Sequence, residues 1–212
     1  MGEHRRRWLL ASGPALDSPE GQAEGGLVSM SMKDVIGRLR AQGDVAKSHG
    51  KTYRSPKPLP AGVLAGLKLP TGEKLPADLV AWLQYDAAWF PLLKKDQKAF
   101  RSSPLRKTLQ KWLDRMQESD DEDVEEELEE LMEDVGDDVL GYWLKSLPEP
   151  SLADVHAVVL PSPGSDQEHL LMLEPGRKTL RVLGCHKRIE FWWKYESFAA
   201  YLAHVFGFEA PP

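Results

Sequence analysis

Residues 189–206 read IEFWWKYESFAAYLAHVF, and the hydrophobic period changes within this stretch. In its first part Ile189, Phe191 and Trp193 alternate against Arg188, Glu190 and Lys194, a period of two that is typical of a half-buried β-strand. From Ser197 onward the apolar residues recur at helical spacing, which predicts a helix with an apolar face made by Phe198, Tyr201, Leu202 and Val205. A strand followed at once by an amphipathic helix predicts that the chain closes with a helix beside a sheet.

The residues before this stretch predict more strands. Residues 154–160, 168–174 and 180–185 are short, apolar and rich in Val and Leu. Turn sequences rich in Pro and Gly, at 161–164 and 175–176, separate them. Short β-prone runs joined by such turns are typical of antiparallel hairpins. With residues 188–194 as the last strand, we expect a sheet of about four strands.

Helical spacing dominates the chain before residue 148. A short helix is predicted over 32–41, followed by a polar, Pro-rich connecting loop over 43–60. The segment LPADLVAWL (75–83) predicts a helix start with Pro76 at the first helical position, where a missing N–H costs nothing. Trp82, Trp112 and Trp143 fall on helical apolar faces, so we expect them in the core.

Ser103 is expected to cap a further helix whose first residue is Pro104. Its apolar face consists of Leu105, Leu109, Trp112, Leu113 and Met116, and its basic flank of Lys107, Lys111 and Arg115. A second short helix is predicted over 137–147.

Charge is distributed unevenly along the chain. Residues 118–138 contain 14 Asp or Glu and no Lys or Arg, so the rest of the chain carries 27 basic against 19 acidic residues. Charge runs usually belong to solvated segments. Here Val124, Leu128, Leu131 and Val135 recur at helical spacing, so an acidic helix ending at Gly136 is predicted.

These patterns together predict an α+β fold with helices first, then a small antiparallel sheet and a closing helix. Residues 1–31 are expected to be a flexible tail and 209–212 a short end. Residues 32–208 are expected to form a single domain with an acidic helical insertion at about 100–147. Met30 or Met32 is an alternative natural start.

Composition excludes several classes of protein. Cys185 is the sole cysteine and Asn is absent, so a disulfide scaffold and N-glycosylation are excluded. Arg5–Arg7 precede only a brief apolar run, too short for a secretory signal, and no run is long enough for a bilayer. We therefore expect a cytoplasmic protein that binds no membrane. The acidic segment opposes nucleic-acid binding, which requires a positive field.

Motifs for catalysis, cofactors or metals are not evident. No phosphate-binding Gly loop, nucleophile elbow or zinc spacing occurs, and the acidic segment lacks the Gly of a calcium loop. Cys185-His186 is the one suggestive pair, and its alternative interpretation is a buried strand cysteine beside an outward histidine. We expect no enzyme activity, no cofactor and no metal.

Two stretches resemble the SMI1/KNR4 (SUKH) superfamily. LPADLVAWL (75–83) is similar to that family's "LP-x-x-L-x-x-(W/F)-L" helix, and residues 189–202 resemble its closing strand and "SF-x-x-(Y/F)-L" helix. The order of the two stretches agrees, and the resemblance spans roughly 32–208. The acidic helical segment at about 100–147 departs from the short family pattern.

The resemblance implies an α+β protein-binding module, and many bacterial members of the family look like immunity proteins that neutralise toxins, often nucleases. The first hypothesis is therefore stoichiometric binding of a basic partner, a cognate toxin. The alternative is a regulatory or scaffold protein of the same fold. The candidate partner-binding residues are Asp120, Asp121, Glu122, Asp123, Glu125, Glu126, Glu129, Glu130, Glu133 and Asp134.

Overall fold

The computed structural model describes residues 30–43, 46–48, 51–53, 55–161, 167–186 and 190–209, so residues 1–29 of the expected flexible tail and residues 210–212 lie outside the described residues. The elements, in chain order, are α1 (Met32–Ala41), β1 (Ala46–Ser48), β2 (Lys51–Tyr53), α2 (Ala61–Gly66), α3 (Ala77–Tyr85), β3 (Ser103–Pro104), α4 (Leu105–Gln117), α5 (Glu122–Val135), α6 (Val139–Lys145), a 3-10 helix (Pro150–Asp154), β4 (His156–Leu160), β5 (Gln167–Met172), β6 (Val182–His186), β7 (Glu190–Tyr195) and α7 (Phe198–Val205). The predicted α+β class, with a C-terminal sheet and a closing helix, is confirmed. In the described ranges no helix is long and apolar enough to cross a bilayer.

The main sheet is antiparallel, with strand order β3-β4-β5-β6-β7. The four predicted strands are β4 to β7, and neighbours in sequence are neighbours in the sheet. A bulge between Val182 and Leu183 interrupts the register of β6 with β7. The fifth strand, β3, has only two residues and pairs with the start of β4.

One face of the sheet is covered by α1, α3 and α7. Alternation along β4 and β5 directs Val158, Leu160 and Leu171 to this face, where they join the apolar residues of the three helices. Trp82 is fully buried at the centre, and its ring lies near those of Tyr85, Phe90, Phe198 and Phe206. The two stretches that carry the family resemblance therefore meet in this core.

The opposite face is covered by the helices of the segment at about 100–147. Ala157, Leu170 and Met172 contact a second apolar cluster, to which α4, α6 and the 3-10 helix contribute. Trp143 of α6 is fully buried there, and Trp112 of α4 is 2% exposed. This segment thus supplies a complete helical layer, and the prediction that Trp82, Trp112 and Trp143 lie in the core is confirmed.

The predicted start of the helix after residue 100 is wrong by one residue, and the predicted cap is wrong. Ser103 and Pro104 pair with Ala157 and His156 as β3, and α4 begins at Leu105. The Ser103 hydroxyl lies 2.8 Å from the Thr108 hydroxyl instead of capping the first turn. Pro76 likewise precedes its helix, which begins at Ala77. The local Ser-Pro signal was overridden because β4 offers the backbone of Ser103 a strand partner.

The prediction of a connecting loop over residues 43–60 is also wrong in part. Residues 46–48 and 51–53 pair as an antiparallel ladder, β1 with β2. Each strand has only three residues, too few for an alternating pattern to be recognisable in the sequence.

A buried ion pair joins the turn between β5 and β6 to the second layer. Arg181 donates two hydrogen bonds to the Glu174 carboxylate, at 2.9 and 2.6 Å, and one to Glu149 at 3.1 Å. Its guanidinium lies 3.3 Å from the centre of the Trp193 ring. Burial alone would lower the pKa of Arg181, and its bonds and attraction to Glu174 and Glu149 more than offset this, so its pKa is raised.

Two buried tyrosines in the core around Trp82 differ in the hydrogen bonding of their hydroxyls. Tyr201 donates a hydrogen bond to the Pro161 carbonyl at 2.7 Å. Tyr195 is 4% exposed, and its hydroxyl has no hydrogen-bond partner among the described residues. Burial raises the pKa of both, that of Tyr195 to about 12.

We expect Tyr195→Phe to stabilise the protein at neutral pH by about 1 kcal/mol, because it removes a buried hydroxyl that makes no hydrogen bond. Since the folded pKa of Tyr195 exceeds the unfolded value of about 10, the free energy of unfolding of the wild type does not depend on this group below pH 10 and falls as pH rises to about 12. Between pH 10 and about pH 12 the free energy of unfolding of the variant should therefore fall by about 2–3 kcal/mol less than that of the wild type. Urea unfolding at several pH values measures both effects.

Tyr201→Phe is the matched control, because it removes a hydroxyl that is hydrogen bonded. It should lower the free energy of unfolding at neutral pH by about 1 kcal/mol. Equal effects of the two substitutions would contradict the difference between their hydroxyl environments.

Candidate protein-binding surface

The acidic segment forms α5, and local interactions define both of its ends. The Asp121 side chain accepts a hydrogen bond from the Asp123 N–H at 3.2 Å, which caps the first turn. Acidic residues in that turn also lie at the positive end of the helix dipole. Gly136 ends the helix with φ of 76°, a conformation that side-chain-bearing residues rarely adopt. The predicted helix and its end at Gly136 are confirmed.

The predicted apolar stripe holds α5 against its neighbours but is buried unevenly. Leu131 is 5% exposed, whereas Val124, Leu128 and Val135 are only half-buried against the second cluster. The main contacts of α5 are with α4 and α6 rather than with the sheet. It is therefore the outer helix of this layer, and much of its surface faces solvent.

All ten candidate carboxylates are exposed. We refer to them as the acidic face: Asp120, Asp121, Glu122, Asp123, Glu125, Glu126, Glu129, Glu130, Glu133 and Asp134. Glu127, which was not among the candidates, is half-buried and lies nearer the apolar stripe. The fold thus brings the candidates onto one continuous helix and the short segment that enters it.

The acidic face has no ion pair with any of the described residues. Like charges at i and i+4, such as Glu122 with Glu126 and Glu126 with Glu130, each cost about 0.2–0.5 kcal/mol. Glu133 and Asp134 lie at the negative end of the dipole, and the last turn contains no basic residue. Packing stabilises α5 against these repulsions, and the negative field remains available to an outside molecule.

Two exposed apolar side chains lie in the same layer and were not identified from the sequence. Met132 of α5 is 36% exposed and Tyr142 of α6 is 37% exposed. Met and aromatic residues are enriched at the centres of protein interfaces. Their helical periodicity alone did not separate them from core residues.

A second surface carries the opposite charge and lies where β3 stops covering β4. We call it the edge groove, a cavity of about 350 Å³. Its lining residues are Pro91, Arg101, Ser103, Thr108, Lys111, Trp112, Arg115, Ala157, Val158 and Val159. The basic flank of α4 was visible in the sequence, but its approach to Arg101 and to β4 was not.

One histidine lies on β4 near this groove. The Ser102 hydroxyl and Nδ1 of His156 are 3.2 Å apart. Burial lowers the pKa of His156, so the neutral ring is favoured and adds no charge to the groove. The groove's positive charge therefore comes from its Arg and Lys residues.

Cys185 and His186 are not brought together as a catalytic pair would require. Cys185 is 1% exposed within the second cluster, and the next residue of a strand points to the opposite face. His186 is half-buried at the end of β6. This placement fits the interpretation of Cys185 as a small buried apolar residue.

Among the described residues, no group of three or more His, Cys, Asp or Glu side chains could hold a metal ion.

No protein-family model, curated protein or solved structure matches the chain.

Proposed function

We propose that this protein is a binding module that neutralises a basic partner, a cognate toxin, by stoichiometric contact with the acidic face. The observation that carries this proposal is the acidic face itself: ten exposed carboxylates on an outer helix, with no ion pair to the described remainder of the chain. Binding in the cytoplasm, without catalysis, cofactor or nucleic acid, is part of the same proposal.

Electrostatics favours a basic partner over other classes. Nuclease toxins are basic because they bind phosphate groups, and carboxylates spaced along a helix can occupy the same cationic sites. A dense field of one sign raises the association rate by about 10- to 1000-fold and suppresses partners of like charge. Contact with cations would also relieve the repulsion within α5, so binding would stabilise this helix.

Exposed apolar residues support an interface rather than a purely solvating helix. Met132 and Tyr142 lie on α5 and α6 and could form the desolvated centre of a contact whose rim is acidic. Charges on a rim mainly set the association rate and its dependence on salt, whereas buried apolar contacts mainly set the dissociation rate.

We also propose that the chain belongs to the SMI1/KNR4 superfamily. The order of its elements supports this: a helix preceded by Leu75-Pro76, an antiparallel sheet and the closing helix that begins at Phe198. The meeting of α3 and α7 at Trp82 and Phe198 supports it further, since both resembling stretches contribute to one core.

The partner would be found by expressing the open reading frames adjacent to this gene, each alone and together with this protein. The proposal expects one of them to encode a basic protein whose toxicity is relieved only on co-expression and which co-purifies with this chain. Relief by every unrelated acidic protein, or no relief with any neighbour, would contradict an immunity role.

With the partner in hand, we expect Glu126→Gln/Glu130→Gln to slow association by about 3- to 10-fold at low salt and to flatten its salt dependence. The free energy of unfolding of the same variant should be higher by about 1 kcal/mol, because several repulsions between residues at i,i+3 and i,i+4 are removed. Surface plasmon resonance at two salt concentrations and urea unfolding measure the two effects.

Glu190→Gln/Glu196→Gln is the matched control, since it removes the same charge from two exposed positions at β7 and just beyond it. It should change association by less than about 2-fold. Equal slowing by the two variants would assign the effect to net charge and would contradict a specific role for the acidic face.

A further inference from the structure

Among the residues that the structure describes, none pairs with the outer edge of β4 beyond Ala157. The Leu173 N–H donates to the His156 carbonyl at 2.8 Å, so His156, Val158 and Leu160 direct their backbone groups toward β5. Ala157 and Val159 direct theirs to the other edge. Ser103 of β3 lies opposite Ala157, but no strand residue in the described part of the chain lies opposite Val159.

The chain turns away before it could cover Val159. Arg101 would be the residue opposite Val159 if β3 continued, but its N–H donates to the Leu92 carbonyl at 2.8 Å. The Arg101 backbone therefore belongs to a separate hairpin, in which Leu93 and Phe100 form a bridge. Between this hairpin and α4 the edge groove leaves room for another chain along β4.

The side chain at this open position is apolar and accessible. Val159 is 50% exposed on the same face as Ala157, whereas Val158 and Leu160 are buried on the other face. An open edge with a β-branched residue is a template for strand addition. Its backbone groups would supply affinity and Val159 would contact an alternate side chain of the added strand.

Charge selects which strand would fit. Arg101, Lys111 and Arg115 line the edge groove, and none of the described residues that line it is acidic. These three cations have no ion pair with the described residues, whereas nearby Arg106 has Asp154 at 3.7 Å. The Arg115 Nε donates to the Lys111 carbonyl at 3.2 Å, which holds the Arg115 guanidinium against α4.

We propose that the edge groove binds an extended acidic segment of another protein, which adds to β4 as a strand opposite Val159 with its carboxylates against Arg101, Lys111 and Arg115. This site is independent of the acidic face and selects a ligand of opposite charge. The cations prevent two copies of the edge from pairing with each other and admit an acidic strand instead. A helix such as α5 of a second copy does not fit the proposal, because its backbone groups are already paired.

The test uses the full protein and a short fluorescein-labelled peptide in which Glu and Val alternate. Anisotropy at low salt should show saturable binding, and the amide of Val159 should become protected from hydrogen exchange. Lys111→Glu/Arg115→Glu should weaken binding by at least about 10-fold. Lys94→Glu/Lys95→Glu, exposed and outside the groove, should weaken it by less than about 3-fold.

A peptide-side control keeps the result independent of protein stability. Two peptides are N-methylated at alternate amides. Methylation of the amides that face β4 should abolish binding, because it removes the donors needed for strand addition. Methylation of the amides that face away from β4 should leave binding intact. Undiminished binding of both methylated peptides would reduce the site to an anion patch and overturn the proposal. So would tight binding of the peptide with Lys in place of Glu, or absence of saturation at millimolar peptide.

Self-association is distinguished by sedimentation. If the protein dimerises, and if Glu126→Gln/Glu130→Gln and Lys111→Glu/Arg115→Glu each abolish the dimer, the groove holds α5 of a second copy and the proposal is overturned. A monomer that binds the Glu-Val peptide supports it.

Discussion

Replacing Arg181 by Met is expected to lower the free energy of unfolding by about 3–5 kcal/mol. Its side chain is 8% exposed, as is that of Glu174, so the substitution leaves a buried carboxylate without its main counter-charge. It also removes the guanidinium from the Trp193 ring and from Glu149. Urea unfolding monitored by circular dichroism measures the loss.

Arg177→Met is the control, because Arg177 contacts the same carboxylate from a more exposed position. Its Nε lies 3.0 Å from Glu174 and its side chain is 42% exposed, so the loss should be below about 1 kcal/mol. Arg181→Met/Glu174→Leu should recover most of the stability, because both charges are then removed. Equal losses for Arg177→Met and Arg181→Met would contradict the difference in burial.

Replacing Trp143 by Ala is expected to lower the free energy of unfolding by about 3–5 kcal/mol. Trp143 is fully buried where α6 meets α4 and the sheet, so its loss leaves a cavity between the helical layer and the strands. Tyr142→Ala, at a neighbouring position that is 37% exposed, should cost less than about 1 kcal/mol.

The shape of the unfolding curve carries a second part of this prediction. Since Ala157, Leu170 and Leu183 of the sheet belong to the same cluster as Trp143, we expect Trp143→Ala to unfold in a single transition. Tryptophan fluorescence and far-ultraviolet circular dichroism should then give the same midpoint. Two separate transitions would mean that the segment at about 100–147 folds independently of the remaining chain.

The two charged surfaces belong to one helical layer and would make different demands on a partner. The acidic face is convex and lies on a complete helix, so it offers side-chain charge alone. The edge groove is concave and offers backbone groups together with cations. A substitution on one surface should therefore leave binding at the other unchanged, apart from the small effect of the altered net charge.

Local patterns in the sequence determined the elements whose burial follows one strong period. Val35, Ile36 and Leu39 predicted α1 with its observed bounds, and the stripe inside the acidic run predicted α5 up to Gly136. Strands β4 to β7 were also predicted, within a few residues at each end. These succeed because one face of each element is apolar, and its repeat is a property of neighbouring residues alone.

Only the tertiary structure decided features that depend on residues far apart in the chain. Ser103 reads as a helix cap until β4, more than fifty residues later, offers it a strand partner. Arg181 contacts both the buried Glu174 and the more exposed Glu149 only when the turn meets the 3-10 helix. The edge groove exists because Arg101 turns away from Val159 toward Leu92. The acidic face is predictable from local composition because its residues are close together in the sequence. The open part of the sheet edge is not, because it depends on strand pairing between residues far apart in the chain.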